Sequence, residues 1–168
     1  LFVSAKEGPY GAKKKYALLS SAGIIKIVGF ETVRRNWSFI AKETQKEVLN
    51  IILRENDKEK ALKHVKDIVN KLKNNKIPTD KVVIYTQLQK NISDYDSIGP
   101  HVRVAMRMQQ KGIPVGPGSL IKFVVTRGSE TIGERSRLPE EVSQNDYDPT
   151  YYIENQVIPS VERIFNVL

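Results

Sequence analysis

A run of three lysines followed by a tyrosine is the feature of the sequence best suited to binding chemistry. Lys13, Lys14, Lys15 and Tyr16 lead directly into the apolar residues 17–19. Because successive side chains of a β-strand point to opposite faces, Lys13 and Lys15 would share one face of such a strand. Ammonium groups placed in this way bind phosphates, and a tyrosine packs against a sugar or hydrogen-bonds to it. The spacing therefore predicts contacts with a nucleic-acid duplex, with a merely solvated basic surface as the alternative.

Cations elsewhere in the chain add to this prediction. Arg34 and Arg35 stand just before a predicted helix, where free backbone N–H groups also favour phosphate. Lys122 and Arg127 flank a strongly predicted strand. The candidate nucleic-acid-binding residues are therefore Lys13, Lys14, Lys15, Tyr16, Arg34, Arg35, Lys122 and Arg127.

The distribution of charge points to the same class of partner. The chain has 27 Lys and Arg against 19 Asp and Glu, a net charge of +8. Residues 1–90 hold 19 of the basic and 9 of the acidic residues, whereas residues 91–168 hold 8 and 10. An uneven excess of this kind favours a polyanion, with nucleic acid first and an anionic membrane surface second. No apolar run approaches the roughly 18 residues of a membrane span.

Catalytic sites are poorly supported by the residue types and their spacing. His64 and His101 have no further ligands around them, and the absence of cysteine excludes a Cys-based metal site. The Asp-Tyr-Asp segments 94–96 and 146–148 lie among turn-forming residues, which favours loop and capping roles over a two-metal site. The Gly-Pro-Gly segment 116–118 lacks a backbone donor that a phosphate loop needs. We expect this chain to hold no catalytic residue, metal or cofactor of its own.

The elements that position the basic residues follow from periodicity. Residues 1–28 are predicted to be β structure, with a turn at 20–23 and a second strand at 24–28. A helix is expected to begin at Asn36 or Ser38, and a capping box that runs from Asn56 to Glu59 begins another. We expect these helices to pack as an antiparallel pair with their lysines outward. The apolar face of the second helix would comprise Leu62, Val65, Ile68, Val69 and Leu72.

The second half is predicted to mix helices and strands. Its expected order is a strand at 81–86, a helix at 100–111, a strand at 120–126 and a long polar loop at 128–145. Asp148 and Pro149 would begin a last helix, which Pro159 should kink or split. The fold class is therefore α+β, with N-terminal strands followed by a mostly helical part that contains a few strands.

Several short segments together resemble the C-terminal part of archaeal family B DNA polymerases. This resemblance extends over nearly the whole chain, and its specificity lies in the order of the segments. It implies that residues 1–36 are the last strands of the palm and the palm–thumb junction, and that residues 37–168 are the thumb domain. The matching segments are 13–17, 31–38, 41–45, 77–78, 85–88, 98–102, 117–118 and 151–157.

The resemblance also implies roles for the basic residues. The segment from Lys13 to Tyr16 would contact the duplex near the primer end, and Arg34 and Arg35 would lie at the palm–thumb junction. Lys15 stands where arginine is common in the family, which keeps the charge but loses a planar hydrogen-bonding fork. The expected function is therefore non-specific gripping of primer–template duplex DNA during replication.

Catalysis would then depend on a partner. The family's catalytic aspartates, nucleotide-binding helix and proofreading carboxylates precede the matching region, so a large portion with exonuclease, palm and fingers would supply them together with Mg²⁺. Residues 4–12 look like an extension, which suits either a naturally split polymerase or a fragment. The family's clamp-recruiting tail would follow Leu168. A cytoplasmic, nucleoid-associated archaeal subunit is expected, and an independent nucleic-acid-binding or scaffold module is the alternative.

Overall fold

The computed structural model describes residues 2–4, 15–30 and 36–168. Lys13, Lys14, Arg34 and Arg35 lie outside the described residues, as does most of the expected extension at 4–12. The N-terminal sheet is antiparallel, with β2 between β1 and β3. Its strands are β1 (Phe2–Ser4), β2 (Tyr16–Leu19) and β3 (Ile25–Val28).

The hairpin formed by β2 and β3 confirms the predicted strand–turn–strand pattern. Tyr16 pairs with Val28, and Leu19 pairs with Ile25. The turn uses Gly23 at a φ of 78°, a conformation that a side chain disfavours. The second strand begins one residue later than expected, because Ile24 belongs to the turn and donates its N–H to Ser20 Oγ.

Two helices follow, α1 (Phe39–Glu55) and α2 (Lys58–Lys73). Ser38 is the N-cap residue of α1, and its N–H donates to Gln156 Oε1 at 2.8 Å. The predicted capping box is wrong by one residue. Asn56 ends α1 in the left-handed conformation, and the carboxylate of Asp57 accepts from Lys60 N at 2.9 Å to begin α2. Asparagine tolerates a positive φ, so Asn56 ends the first helix and the adjacent Asp57 caps the second.

The helices pack against each other with the lysines of α2 exposed, as expected. Val48 and Ile52 of α1 share a core with Ala61 and Val65 of α2. Leu62 was expected on the apolar face, but 42% of it is exposed. Successive side chains of a helix are about 100° apart around its axis. The buried Ala61 therefore faces α1, and Leu62 next to it points away from this contact.

The first core joins the N-terminal sheet to three helices. Ala17 and Phe30 are almost completely buried against α1. Val161 and Ile164, close to the C-terminus, belong to the same core. Apolar burial therefore fixes the hairpin to the helices, so we expect the hairpin and the helices to move together.

The second half contains another antiparallel sheet, in which β5 is central. The predicted helix and the predicted strand at 120–126 are confirmed. The strand predicted at 81–86 begins later, since residues Thr79–Val82 form a 3₁₀ turn. The elements are β4 (Ile84–Gln87), α3 (Pro100–Gln110), β5 (Leu120–Val125) and β6 (Ser136–Arg137), with 3₁₀ turns at Ile92–Asp94 and Pro139–Glu141.

The segment 128–145, predicted as a long polar loop, is mostly loop and turn, but it contains the short strand β6 and a 3₁₀ turn and is hydrogen-bonded to the end of β5. Thr126 N donates to Arg135 O at 3.0 Å, and Arg135 Nη1 donates to Thr126 O at 2.8 Å. Arg135 also forms an ion pair with Asp148. Polar side chains here satisfy backbone groups, so a segment without apolar periodicity is nonetheless ordered against β5.

Of the two expected effects of Pro159, a kink or a split, the split does not occur in the last helix, which runs without a break from Pro149 to Phe165. It consists of α4 (Pro149–Tyr151), a π-helical segment (Tyr152–Val157) and α5 (Ile158–Phe165). The N–H of Ile158 donates to Ile153 O, five residues back. This wider turn directly precedes Pro159. It leaves room for the proline ring at a position where proline has no N–H to donate.

The structure confirms the α+β class. Within the described ranges, no helix is long and apolar enough to cross a membrane.

Candidate nucleic-acid interface

The described part of the lysine–tyrosine run lies at the start of β2. Tyr16 is half-buried and pairs with Val28, and Ala17 beside it is completely buried in the first core. Lys15 is also half-buried. The structure thus places both residues at the edge of the N-terminal core. Contacts from Lys13, Lys14, Arg34 and Arg35 stay predictions, because these residues lie outside the described ranges.

Lys122 lies on the outer face of the second sheet. Its neighbours in β5, Ile121 and Phe123, are buried, so the alternation of the strand turns Lys122 to solvent. Tyr85 is its partner in the antiparallel register with β4. Lys122 Nζ lies 5.6 Å from the centroid of the Tyr85 ring, a cation–π contact that orients the ammonium group.

Arg127 is not brought together with Lys122. The two lie five residues apart along extended chain, a separation of roughly 17 Å from the strand rise. Arg127 Nε donates to Asn145 O at 3.3 Å, and its Nη2 donates to Asn75 Oδ1. Its guanidinium therefore holds protein segments together at the far end of β5.

Sequence reasoning missed a cluster beyond the end of β4. Lys90 Nζ lies 5.1 Å from the centroid of the Tyr95 ring. The same ring meets His101 edge-to-face at 5.7 Å, and its hydroxyl accepts from Gln89 N at 2.9 Å. His101, around which the sequence shows no further metal ligands, is half-buried, and burial lowers its pKa. Residues 98–102, which include His101, are one of the segments on which the resemblance rests. Lys90 lies outside those segments, and its charge was the only feature that marked it in the sequence.

A groove runs from this cluster to residues of β4 that are close in sequence to Tyr85. Gln87 lies two residues from Tyr85 along β4, so both side chains point to the same face of the sheet. Asn36, which follows Arg34 and Arg35 in sequence, also lines the groove. Its walls are Asn36, Thr86, Gln87, Gln89, Tyr95 and His101. We call the surface formed by Tyr85, Gln87, Lys90, Tyr95, His101 and Lys122 the aromatic–lysine surface.

The chemistry of this surface suits a nucleic-acid backbone better than a reaction. Ammonium groups bind phosphates, amides and hydroxyls bind sugars, and aromatic rings pack against sugars or bases. None of these contacts reads a base sequence by itself. The expected recognition is therefore by charge and shape.

Three of the four aspartates noted in the sequence have the loop and capping roles expected of them. Asp94 accepts from Asn91 Nδ2 at 3.2 Å, and Asp146 accepts from Ser143 N at 2.7 Å. Asp148 caps the last helix by accepting from Thr150 N at 3.0 Å. Across the described ranges, no three His, Asp or Glu side chains gather in a way that could hold a metal ion.

Comparison with known proteins places this arrangement in a family. The model of DNA polymerase family B matches residues 11–168. A DNA polymerase of Pyrococcus horikoshii is 49% identical over 94% of this chain and 13% of its own length. A DNA polymerase of Thermococcus aggregans is 48% identical over 94% of this chain and 9% of its own length.

A solved structure agrees with these sequence matches. The family B DNA polymerase from the hyperthermophilic archaeon Pyrobaculum calidifontis superimposes with a TM-score of 0.80 and 37% identity, over 94% of this chain and 21% of that one. The chain thus spans between 9% and 21% of the length of these relatives. On this evidence of sequence and fold, the chain belongs to DNA polymerase family B.

Proposed function

We propose that this chain is the thumb portion of a DNA-directed DNA polymerase and grips primer–template duplex. The observation that carries the proposal is the aromatic–lysine surface, where Lys90 and Lys122 are exposed beside aromatic rings and amides. In this proposal residues 1–36 complete the palm and form the palm–thumb junction, and residues 37–168 are the thumb.

The electrostatics of the surface support a grip that does not depend on sequence. Neither Lys90 nor Lys122 forms an ion pair with a carboxylate in the described part of the chain, so each positive charge is available to a phosphate. Each phosphate contact releases condensed counterions, which makes the affinity strongly dependent on salt. Such contacts supply affinity and processivity but no base readout.

The residues predicted from sequence would extend this surface toward the primer end. Asn36 lines the groove and directly follows Arg34 and Arg35 in sequence. Lys13 and Lys14 precede Lys15 and Tyr16, which stand at the start of β2. Substituting Lys14 or Tyr16 should therefore weaken primer extension by the assembled enzyme on all template sequences alike. Unchanged extension would count against their assignment.

We further propose a division of labour with the rest of the polymerase. The larger portion would carry the exonuclease, palm and fingers, hold the catalytic Mg²⁺ and add nucleotides. The portion described here would hold the duplex behind that centre. A sliding clamp, recruited through a C-terminal tail, is a further proposed partner.

Salt-dependent binding of a duplex tests the grip. About five phosphate contacts predict a slope of roughly −4 in a plot of log affinity against log salt concentration. The double variant Lys90→Gln, Lys122→Gln should reduce the magnitude of this slope by about 2. Lys66→Gln, which removes an exposed charge from α2, is the matched control and should leave the slope almost unchanged. A slope near zero for the unmodified chain would refute the grip.

A second experiment separates the thumb from an independent binding module. Affinity purification from the source cell should recover a large polymerase portion with this chain, and the two together should extend a primer. Recovery of this chain alone, combined with undiminished duplex binding, would favour the independent module. Nucleotide incorporation by the chain alone would contradict the proposed division of labour.

A further inference from the structure

Three arginines converge on a hollow at the far end of β5. Arg107 comes from α3, Arg127 follows β5, and Arg137 belongs to β6. The hollow has a volume of about 540 Å³, enough for a small polyatomic anion and its water. Its lining residues are Arg107, Thr126, Arg127, Arg137, Glu141, Asn145 and Asp146, none of which belongs to the aromatic–lysine surface.

Arg107 and Arg137 are held side by side by shared acceptors. Arg107 donates from Nη1 to Ser136 O and from Nη2 to Glu134 O, the latter at 2.6 Å. Arg137 Nη1 donates to the same two carbonyl oxygens. Two guanidinium groups thus lie next to each other with neutral carbonyls between them. Burial and the charge of Arg137 both lower the pKa of Arg107, as expected for neighbouring cations.

The nearby carboxylates are already engaged. Glu141 forms an ion pair with Lys111, Asp146 accepts from Ser143 N, and Glu134 accepts from Thr131. Among the described residues, no carboxylate forms an ion pair with Arg107, Arg127 or Arg137. The lining of the hollow contains three guanidiniums against two carboxylates, one of which pairs with a lysine. Glu141 and Glu134 partly offset the charge of Arg107, and the lining keeps one more guanidinium than carboxylates.

We propose that this hollow is a binding site for a phosphate-type oxyanion. Guanidinium groups offer planar pairs of donors that match phosphate oxygens, and such charge-assisted hydrogen bonds are the strong ones. Arg107 and Arg137 line the hollow side by side, and Arg127, held by Asn75 and Asn145, lines it as well. Within the described residues Arg137 donates to protein acceptors only from Nη1, so its Nε and Nη2 remain as a planar pair of donors. The phosphate belongs either to a nucleic-acid strand or to a free small molecule. Binding of a nucleic-acid phosphate here would rest on the proposed function, whereas binding of a free phosphate would not.

Titration with inorganic phosphate at constant ionic strength tests the site. The Nε–Hε resonances of Arg107, Arg127 and Arg137 should shift saturably in ¹H–¹⁵N spectra of the whole chain. Arg137→Gln should weaken phosphate binding about tenfold, the effect of losing a hydrogen bond to a charged group. Lys66→Gln, with the same change in net charge, should bind phosphate like the unmodified chain. Equal affinities for Arg137→Gln and Lys66→Gln, or equal shifts with acetate, would overturn the proposal.

A further variant tests whether a loss of phosphate binding is caused by misfolding, and a competition experiment identifies the source of the phosphate. Arg137→Lys keeps the charge but loses the fork, so it should bind phosphate with intermediate affinity while its thermal unfolding stays close to that of the unmodified chain. Competition by duplex DNA for the phosphate-loaded site would assign it to a nucleic-acid backbone, and simultaneous binding would assign it to a free phosphate. The double variant Lys90→Gln, Lys122→Gln should keep its phosphate affinity, which separates this site from the proposed grip.

Discussion

The hydroxyl of Tyr152 accepts a hydrogen bond from the backbone N–H of Val125 at 3.0 Å, and both residues are completely buried. Val125 is the last residue of β5, and Tyr152 is the first residue of the π-helical segment. The bond therefore ties the end of the central strand to the wide turn that admits Pro159. It also explains why a polar atom is tolerated in the second core, the apolar cluster around β5 that includes Val102, Ile121 and Tyr147.

Replacing this hydroxyl should destabilise the chain without removing much packing. Tyr152→Phe would leave the N–H of Val125 buried and without an acceptor, which costs about 1–3 kcal/mol. The free energy of unfolding, measured by urea denaturation, should fall by that amount. Tyr151→Phe is the matched control, since its hydroxyl accepts only a long bond of 3.5 Å from Gln156. A loss as large for Tyr151→Phe as for Tyr152→Phe would contradict the role of this bond.

The buried tyrosines should also make the chain sensitive to alkali. Burial raises the pKa values of Tyr147, Tyr151 and Tyr152 above the ordinary value for tyrosine. A raised pKa in the folded state means that this contribution to stability is fully present below a pH of about 10 and is lost as the pH rises beyond it. Urea midpoints measured across this range should fall steeply. Tyr152→Phe should make the fall shallower, and an unchanged slope would argue against Tyr152 as a main contributor.

The ion pair between Arg135 and Asp148 should matter far more than the exposed pairs. Their side chains are only 14% and 16% exposed, and Asp148 also caps the last helix. Asp148→Ala would leave Arg135 partly buried without its partner, so we expect a loss of about 3 kcal/mol or more in the free energy of unfolding. Glu55→Gln, which breaks the exposed pair with Lys60, should leave the free energy of unfolding almost unchanged. Comparable losses for the two variants would refute this ranking.

The histidine of the aromatic–lysine surface should report duplex binding. Burial lowers the pKa of His101 below its ordinary value, so the ring is neutral near pH 7. An approaching phosphate favours the charged form, and duplex DNA should therefore raise the pKa of His101. Titration of its ring resonances with and without duplex measures the change. No change at saturating duplex would place the DNA elsewhere on the chain.

Local chemistry explains why much of the fold was predictable. The hairpin from Tyr16 to Val28 follows from two short apolar runs on either side of a glycine turn, and α3 follows from Pro100 at its start and Gly112 beyond its end. The errors at Asn56 and Leu62 are shifts of one position. Periodicity identifies an element but locates its face and its ends only to within a residue or two.

The sequence by itself determined the uneven basic charge, the α+β class and, through its ordered motifs, the resemblance to family B polymerases. Tertiary structure alone decided which side chains meet. It brought Lys90 and His101 to the ring of Tyr95, set Arg107 beside Arg137, and formed a π-helical segment before Pro159, so that the last helix is not split there. Secondary structure depends on neighbours a few residues apart, which a sequence displays directly. A groove or a cluster of cations depends on residues tens of positions apart, whose meeting is fixed only by the packing of the two cores.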